Sequence, residues 1–411
     1  MATTQYLSYR MKQPNILLLV VIALLPLMLV SCSLLGGAPA PGGWSGTAFD
    51  DGIIYAGTRD GRVVAVNSST QDVLWSYAII TTGSSGMSCG ETSAATRIYT
   101  TPIADGDLVY VGTYSGQVLA FSSLARSQNL TFPQQRYGEW KWDCPIGDAK
   151  INAIVADLLV SGDAIYVSSS NGRVYSLAQE FGDLNWESEI LDERHRKLWT
   201  SGVTQGDALY VSTLDGGIYA LSLESGQLLP DRSFKSETGF ASPPVIDGDT
   251  IFLGSFDRHL YAVEIGGNAS IWKFPPEEPG GNWFWASPIV SEGIVYAGCL
   301  DGKLYAIEAK TGEKVWEFDA ESPIVSSPVL MDNLLMVIDE SGTLYVFDLS
   351  AELADEAMPL KIVSIGAEVR SSFCAQGGLV YIRGEHDTRD IICVVDIDKG
   401  QVRKVDLNIK E

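Results

Sequence analysis

Two short motifs contain residue types that carry out chemistry in other proteins. Gly86–Gly90 matches the Gly-x-Ser-x-Gly string of a nucleophile elbow, but that elbow requires a strand before it and a helix after it. Here the string lies in a connection rich in Gly, Ser and Thr, so we interpret it as a loop. Asp396–Gly400 has the spacing that opens a calcium loop. It falls where a turn recurs along the chain, and the turn interpretation is favoured.

The other candidate ligands do not form a group. The three histidines are His195, His259 and His386, and no pair of them has the spacing of a zinc site. The six cysteines include no Cys-x-x-Cys pair, no haem-attachment motif and no adjacent pair. We therefore predict a protein that is not an enzyme and that has no cofactor and no metal site.

The amino terminus has the order of features found in a lipoprotein signal peptide. Arg10 and Lys12 precede an uncharged apolar run over residues 16–30. At about fifteen residues, this run suits a secretory signal better than a membrane span. It ends at Cys32 in the string Leu-Val-Ser-Cys, which resembles the bacterial lipobox. An ordinary signal peptide with a chance cysteine is the alternative.

These features predict three regions. Residues 1–31 are expected to be the signal peptide, and residues 32–43 to be the lipidated Cys32 and a flexible Gly/Pro/Ala-rich tether. Residues 44–411 are expected to form the folded domain. The predicted location is extracytoplasmic, with a lipid anchor in the cell membrane or an outer membrane.

Composition narrows the possible partners. The formal net charge is −23, which opposes binding to the phosphates of nucleic acid. Charged residues make up 19% of the chain and hydrophobic residues 46%, which is typical of a folded domain and not of a disordered one. The 41 glycines suit many short strands joined by tight turns.

The residues after position 43 repeat one unit of four short strands. In Ala286–Phe318, the four strands read SPIV, IVYAG, KLYAIE and KVWEF, and we label them A to D. Glu292-Gly293, Asp301-Gly302 and Thr311-Gly312 separate them and supply the positive φ that tight turns need. The first turn of each unit falls at Gly52, Gly106, Gly162, Gly206, Gly248, Gly293, Asn333 and Gly377.

Eight such units predict an all-β fold, an eight-bladed β-propeller of four-stranded antiparallel blades. One unit alone cannot bury both faces of its sheet, whereas stacking in a ring buries them all. The first unit has its own strand A and the last its own strand D. We therefore expect the ring to close by packing between the first and last blades, without a shared strand.

The stretch Ala306-x-Glu308-x-x-Thr311-Gly312-x-x-x-Trp316 resembles the tryptophan-docking repeat of the pyrroloquinoline-quinone-like propellers. The resemblance covers about residues 44–408. It implies that the Trp of one blade packs against the Thr-Gly turn of its neighbour. Quinoprotein dehydrogenases in this superfamily hold a quinone beneath two adjacent cysteines, and this sequence has no such pair. The lipobox, length and blade count are more similar to the propeller lipoprotein of the outer-membrane β-barrel assembly machinery.

The propeller frame places the cysteines. Cys89 and Cys144 fall in connections between blades that emerge on one face, so we predict a disulfide between them, with two free thiols as the alternative. Cys374 and Cys393 fall on strands A and C of one blade, about 9.6 Å apart. That distance exceeds disulfide reach, so we interpret them, with Cys299, as buried small hydrophobes.

The same frame predicts a binding surface. Strand A lines the central channel, and the residue three before its Ser-Pro position should lie at one mouth. Aromatic residues clustered at a concave mouth suit the binding of a peptide, glycan or partner protein; packing between blades is the alternative. The predicted mouth residues are Tyr99, Trp199, Phe240, Trp285 and Arg370, together with Trp283 from the preceding loop.

Three functions follow from these features, in order of preference. The first is a membrane-anchored scaffold that binds envelope or membrane proteins, as in outer-membrane protein assembly. The second is a receptor for a polysaccharide, peptide or small molecule at the aromatic mouth. The third is a quinone-dependent dehydrogenase.

Overall fold

The computed structural model describes residues 44–83, 92–123, 140–144, 151–189, 191, 198–267, 269–350 and 357–407. These residues form eight four-stranded sheets, one two-stranded hairpin and a single 3-10 turn at Pro230–Arg232. No helix in these ranges is long and apolar enough to cross a membrane. The predicted signal peptide, Cys32 and the tether lie outside the described residues.

The eight sheets are the blades of a propeller, as the repeat predicts. In every blade the strands follow chain order, and hydrogen-bonded neighbours are antiparallel. The first four blades contain β1 Thr47–Asp50, β2 Ile53–Gly57, β3 Arg62–Asn67 and β4 Val73–Ala78; β7 Ile103–Asp105, β8 Leu108–Gly112, β9 Val118–Ser122 and β10 Trp140–Cys144; β11 Leu159–Ser161, β12 Ala164–Ser168, β13 Val174–Ala178 and β14 Leu184–Glu187; and β15 Val203–Gln205, β16 Ala208–Ser212, β17 Gly217–Ser222 and β18 Phe234–Lys235.

The other four blades repeat this arrangement. They contain β19 Val245–Asp247, β20 Thr250–Gly254, β21 Leu260–Glu264 and β22 Ser270–Phe274; β23 Ile289–Ser291, β24 Ile294–Gly298, β25 Lys303–Glu308 and β26 Lys314–Asp319; β27 Val329–Met331, β28 Leu334–Ile338, β29 Thr343–Asp348 and β30 Lys361–Ser364; and β31 Cys374–Gln376, β32 Leu379–His386, β33 Arg389–Asp396 and β34 Gln401–Asp406. The extra hairpin, β5 Ile80–Gly83 and β6 Thr92–Ala95, lies in the connection between blades one and two.

The two central strands of each blade form the core. All five residues of β2, IIYAG, are buried, and so are the four middle residues of β3. Both faces are apolar because each blade is covered by a neighbour on either side. The turn between strands A and B needs left-handed backbone: Glu292 and Gly293 have φ of 49° and 77°, which matches a tight hairpin turn.

Tryptophans dock blades onto one another as the repeat implies. The indole N–H of Trp272 in blade five donates to the backbone carbonyl of Ala309 in blade six at 2.9 Å, and Trp186 makes the same bond to Leu223. The ring of Trp272 lies so close to the next C–D turn that a Cβ on Gly312 would sit 2.7 Å from it. Only glycine therefore fits this turn without a shift.

The ring closes without a shared strand. The backbone N–H of Thr47 in β1 donates to Ser372 in blade eight at 3.2 Å, and its hydroxyl donates to the carbonyl of Tyr381 at 2.7 Å. Phe49 stacks on the Tyr381 ring, with centroids 4.6 Å apart and planes 8° apart. Each of the two blades keeps its own four strands, as the sequence predicts.

Blade eight differs in having a longer B–C hairpin, because β32 and β33 each run for eight residues. Inside it, Arg383 and Asp390 form an almost fully buried ion pair. Asp390 also accepts the backbone N–H of Arg59 from blade one at 2.8 Å, and Arg59 pairs with Glu385 at 3.2 Å. This hairpin therefore adds charged contacts to the seam that closes the ring.

Candidate functional site

The chain enters strand A in the same register in every blade. In blade six, β23 follows the run Trp285-Ala286-Ser287-Pro288. The residues that match Trp285 in the other blades are Trp44, Tyr99, Val155, Trp199, Ala241, Val325 and Arg370. One side chain from each blade therefore faces the propeller axis at the same level.

Hydroxyl groups fix this approach. Ser45 donates to the carbonyl of Thr100 in the next blade at 2.8 Å, and Ser326 donates to Ser371 at 2.8 Å. Thr200 bonds within its own blade to the carbonyl of Ser212 at 3.0 Å. These buried side chains tie the inner strands together, so the axial residues stand on a rigid ring.

The axial residues enclose a cavity of about 440 Å³, to which all eight blades contribute. That volume is within the range of small-ligand and peptide-anchor sites. Its walls are Trp44, Tyr99, Thr101, Tyr114, Ala153, Val155, Ala156, Asp157, Ser170, Trp199, Ser201, Ala241, Pro243, Trp285, Ala286, Ser287, Val325, Ser327, Arg370, Ser371 and Ser372.

The structure brings four of the six predicted mouth residues to this cavity: Tyr99, Trp199, Trp285 and Arg370. Trp283 lies outside the lining, 39% exposed, with its ring 5.5 Å from that of Phe256. Its exposure agrees with the expectation, but its position is beside the mouth and not inside it.

The placement of Phe240 at the mouth is wrong. Its side chain is fully buried and packs edge-on against Tyr261 at 6.0 Å, within a cluster between blades four and five. Blade five reads Ser242-Pro243-Pro244, and counting from the first proline shifts the frame by one residue. Because successive side chains of an extended segment point to opposite sides, the slip exchanges the axial Ala241 for a core residue.

Among the lining residues that were not predicted, Trp44, Tyr114 and Asp157 bear most on the chemistry of the site. Trp44 matches Trp285 by the frame, but blade one lacks the Ser-Pro pair that anchors the alignment. Tyr114 comes from the B–C turn of blade two, whose tip also faces the axis. Asp157 stands at the Ser287 position, where the other blades have small, hydroxyl or proline residues. That departure from the repeat is the signal that could have revealed it.

The aromatic side chains of blades one and two form a continuous cluster. Trp44 meets Tyr99 edge to face, with centroids 5.1 Å apart, and Tyr99 meets Tyr114 at 5.4 Å. Trp44 and Tyr114 are 41% and 49% exposed, so large aromatic surfaces face solvent at a concave site. Such surfaces are typical anchors for a ligand or partner.

Asp157 places a carboxylate beside that cluster. Its Oδ1 accepts the backbone N–H of Thr101 at 2.6 Å, and its Oδ2 accepts the Thr101 hydroxyl at 3.3 Å. Burial in the channel raises the pKa of the Asp157 carboxyl, and the two bonds from Thr101 only partly oppose that effect. Within the described ranges no cationic side chain lies within salt-bridge distance of it.

Arg370 is the one cationic residue in the lining, and its charge is balanced locally. Its Nε donates to Glu340 at 2.8 Å, and its Nη2 lies 3.3 Å from Glu368. The Glu340 carboxylate raises the pKa of the guanidinium. The lining therefore has one compensated cation and one carboxylate without a cation.

The described residues of the sequence motifs and of the histidines do not line this cavity. Gly86–Gly90 lies outside the described residues. Asp396 and Gly400 form a turn closed by the Gly400 N–H to the Asp396 carbonyl at 2.8 Å, and Lys399 pairs with Asp396. His259 is buried against Tyr261. No group of three His, Cys, Asp or Glu residues suited to a metal occurs in the part of the chain described.

Cys299 and Cys393 are buried, as expected, whereas Cys374 is only partly buried and Cys144 does not lie where the frame placed it. Cys299, Cys374 and Cys393 are unpaired thiols, and burial raises their pKa to about 12, 11 and 11. Such thiols are poor nucleophiles at neutral pH. Cys144 is buried at the last position of β10, at the end of strand D and not in the following connection. Cys89 lies outside the described residues, so the Cys89–Cys144 disulfide stays a prediction.

A family described as outer membrane protein assembly factor BamB matches residues 42–141, 138–287 and 269–406. The chain belongs to this family. Its repeats are those of the pyrroloquinoline-quinone-like propellers, in agreement with the tryptophan-docking motif. No curated protein sequence matches the chain.

Solved structures agree on the fold. BamB from Moraxella catarrhalis is 16% identical with a TM-score of 0.59, over 82% of this chain and 90% of that one. Quinohemoprotein alcohol dehydrogenase from Comamonas testosteroni is 12% identical with a TM-score of 0.60, over 87% and 71%. The computationally designed protein Ika8 is 14% identical with a TM-score of 0.63, over 89% and 98%. At these identities the likeness shows the fold alone.

The cavity does not fit pyrroloquinoline quinone well. The quinone carries three carboxylates, so a site for it needs several cations or strong donors. The described lining offers only Arg370 as a cation, and Glu340 already compensates it. Asp157 would add a further negative charge beside the ligand. We derive no redox step from this site.

Proposed function

We propose that this protein is a non-catalytic binding scaffold of the cell envelope that takes part in outer-membrane protein assembly. The match of the BamB family over residues 42–406 carries the proposal. The rigid ring supports it, because axial side chains from all eight blades are presented at one mouth. Such a scaffold acts by holding a partner in place, and it needs no reacting group.

The channel mouth is the surface we propose for contact. Trp44, Tyr114 and Trp199 are each about two-fifths to one-half exposed in or beside one concavity. Large aromatic side chains in a concave, preorganised site supply most of the binding energy in many interfaces. We expect a protein or peptide segment to place apolar side chains among them.

The proposal includes a lipid anchor at Cys32. The charged residues, apolar run and terminal cysteine at the amino terminus support it. We expect Cys32→Ser to lack lipid and to keep its signal peptide, while the wild-type protein is cleaved and carries a diacylglyceryl mass on that cysteine. Mass spectrometry of the purified amino-terminal peptide and fractionation of the envelope test this. An unmodified cysteine in the wild-type protein would contradict the anchor.

The scaffold function is tested by affinity purification from native membranes in mild detergent. We expect the membrane-embedded subunit of the β-barrel assembly machinery to co-purify with the tagged wild-type protein. A Trp199→Ala/Trp285→Ala double variant should reduce the yield of that subunit. Val315→Ala, which removes an exposed apolar side chain of β26 outside the cavity lining, serves as the control. Recovery of the tagged protein without that subunit would refute a role in assembly.

A receptor for a small molecule or a glycan is the second candidate, favoured by the enclosed volume of about 440 Å³. Aromatic faces such as that of Trp285 stack on sugar rings as well as on peptide side chains. Titration with oligosaccharides, followed by tryptophan fluorescence, distinguishes this candidate. Saturable quenching that Trp285→Ala removes would favour it over the scaffold.

A further inference from the structure

We infer that the quadrant of the mouth built by blades one to three is a subsite for a basic side chain, lysine or arginine, carried by an extended polypeptide segment. We name it the cation subsite; it comprises Trp44, Tyr99, Tyr114 and Asp157. The inference deepens the proposed scaffold function and rests on it. It specifies which partner residue the mouth would select.

Geometry brings the four side chains to one place. Trp44, Tyr99 and Tyr114 form an unbroken chain of ring contacts at 5.1 and 5.4 Å. Tyr99 and Thr101 are two residues apart on one extended segment, and both line the cavity. Since Thr101 bonds both oxygens of Asp157, the carboxylate is held next to the aromatic cluster.

The chemistry of this set is that of a cation site. An aromatic face attracts an ammonium or guanidinium group, and the attraction grows when water is excluded. A carboxylate held in a channel with no cation beside it is costly, and a bound cation would compensate it. The Asp157 carboxylate accepts two bonds from Thr101 and retains acceptor sites for a third donor.

The residues around the mouth also favour a positively charged ligand. B–C turns border the mouth, since Tyr114 and Ser170 at their tips reach the lining. In the described turns, acidic residues outnumber basic ones: Asp60, Asp215, Asp257, Asp301, Asp339, Glu340 and Asp387 against Arg59, Arg173 and Arg258. The formal net charge of −23 adds a long-range attraction for basic segments. Arg370 does not cancel it, because two glutamates neutralise that residue.

A peptide fits this site better than a free amine. The cavity is shared by all eight blades, and the exposed Trp199 of blade four lines it outside the cation subsite. A segment that places one basic side chain beside Asp157 can lay its neighbours along that surface. A small amine would use only the subsite and would gain correspondingly less affinity.

The test uses the full protein and labelled extended peptides of one Gly/Ser-rich sequence, with a central lysine, norleucine or acetyl-lysine flanked by leucines. Fluorescence polarisation should show the lysine peptide binding about tenfold more tightly than either neutral peptide. Asp157→Asn should abolish that preference. Asp348→Asn changes the net charge equally at the last residue of β29 in blade seven, outside the cavity lining, and it should preserve the preference.

Several outcomes would overturn the inference. Equal binding of lysine and norleucine peptides would refute the cation subsite, but it would not contradict the apolar mouth or the scaffold function. An unchanged preference in Asp157→Asn would do the same. Binding of butylammonium as tight as that of the lysine peptide would assign the site to small cations. Absence of any peptide binding would refute the inference, whereas the membrane purification decides the scaffold function separately.

A second variant is Tyr114→Leu, which changes an exposed side chain and should retain the fold. It is expected to weaken binding of the lysine peptide by severalfold.

Discussion

At the scale of single residues, the chemistry of the channel lining depends on positions at which the sequence departs from the repeat. Asp157 occupies a position at which blade six has Ser287 and blade seven has Ser327. The hydroxyls at that position can bond within the ring: Ser287 donates to Pro243 of the preceding blade at 3.2 Å. Asp157 also bonds to a neighbouring blade, because its carboxylate accepts hydrogen bonds from Thr101. Unlike serine, it presents an ionisable group to the cavity.

That carboxyl should make stability depend on pH in a defined direction. Because the pKa of Asp157 is raised in the folded state, the native protein keeps this proton at pH values where the unfolded chain has lost it. Its contribution therefore becomes less favourable as pH rises from about 4 through the raised pKa. We expect the melting temperature of Asp157→Asn, relative to wild type, to rise over that window and to level off below it.

Asp348 supplies the opposite case. Hydrogen bonds from the hydroxyl and backbone N–H of Ser350 lower its pKa. Its contribution to stability is present at neutral pH and is lost as pH falls through the lowered pKa. Melting curves of Asp348→Asn should therefore approach those of wild type on acidification. Parallel curves for both variants across pH 3 to 8 would contradict the assignment of Asp157 as a desolvated carboxyl.

A second residue-scale prediction concerns Gly312, which has φ of 76° and faces the ring of Trp272. Gly312→Ala should cost roughly 2–4 kcal/mol, from left-handed backbone and from the clash with the indole. Gly293→Ala is the matched control, because Gly293 has φ of 77° but nothing within 4 Å of the added methyl. It should cost about 1 kcal/mol. Urea unfolding measures both values, and equal losses would mean that the docking contact is unimportant.

Residue identities in the site were only partly predictable. The repeat frame placed Tyr99, Trp199, Trp285 and Arg370 at the cavity, because alternation along strand A is rigid. The prediction for Phe240 was wrong because a second proline in blade five concealed a one-residue shift. Asp157 departs visibly from the repeat at its position, but its contact with Thr101 of the neighbouring blade joins residues 56 positions apart and does not follow from the sequence.

At the scale of elements, the strands themselves followed from turn residues and alternation. The pairs such as Glu292-Gly293 and Asp301-Gly302 divide the chain into strands of the observed lengths. Two elements did not follow. The hairpin of β5 and β6 lies in an insertion with no counterpart in other blades, and the longer β32 and β33 pair beyond the usual B–C turn. Neither has a repeat to be compared with.

The long hairpin of blade eight leads to a prediction about its buried ion pair. Asp390→Asn leaves the Arg383 guanidinium buried without its main partner and weakens the bond to the Arg59 backbone. We expect a loss of roughly 3–5 kcal/mol in the free energy of unfolding.

The control is Asp406→Asn, which breaks the pair between Arg389 and Asp406 at 3.5 Å. Both side chains of that pair are about half exposed or more, so the change should cost less than about 1 kcal/mol. Guanidinium unfolding at one pH compares the two variants. A loss at Asp390 no larger than that at Asp406 would show that the buried pair does not hold the seam.

At the scale of the whole molecule, the ring closes only by packing between blades one and eight. We therefore expect the ring to open first at that interface. Phe49 and Tyr381 stack across that interface, and Ile54 and Val64 pack against Ile392 and Val394. Each other pair of neighbouring blades is also linked by the chain itself, whereas blades one and eight meet only through noncovalent contacts. The eight-bladed closed ring was predictable from the repeat count, since only a ring covers both end blades.

We therefore expect Phe49→Ala to loosen the seam selectively. The lost stacking should cost roughly 1–3 kcal/mol. In hydrogen exchange, amides of β1 and β31–β34 should lose protection first, while those of β23–β26, across the ring, should keep theirs. Phe347→Ala, which removes the ring that stacks on Trp316 between blades six and seven, should not produce that pattern. Uniform loss of protection in Phe49→Ala would contradict a localised seam.

The register shared by the eight approaches to strand A has an evolutionary consequence. Because each axial side chain precedes its strand, exchanging it leaves the sheet hydrogen bonds untouched, and the positions can vary independently except where two side chains touch, as Trp44 and Tyr99 do. A substitution at Val325 or Ala241 would change the side chains at the channel mouth and leave the propeller fold unchanged. Under the proposed scaffold function, partner specificity would depend on these eight positions, and each of them could change by a single substitution.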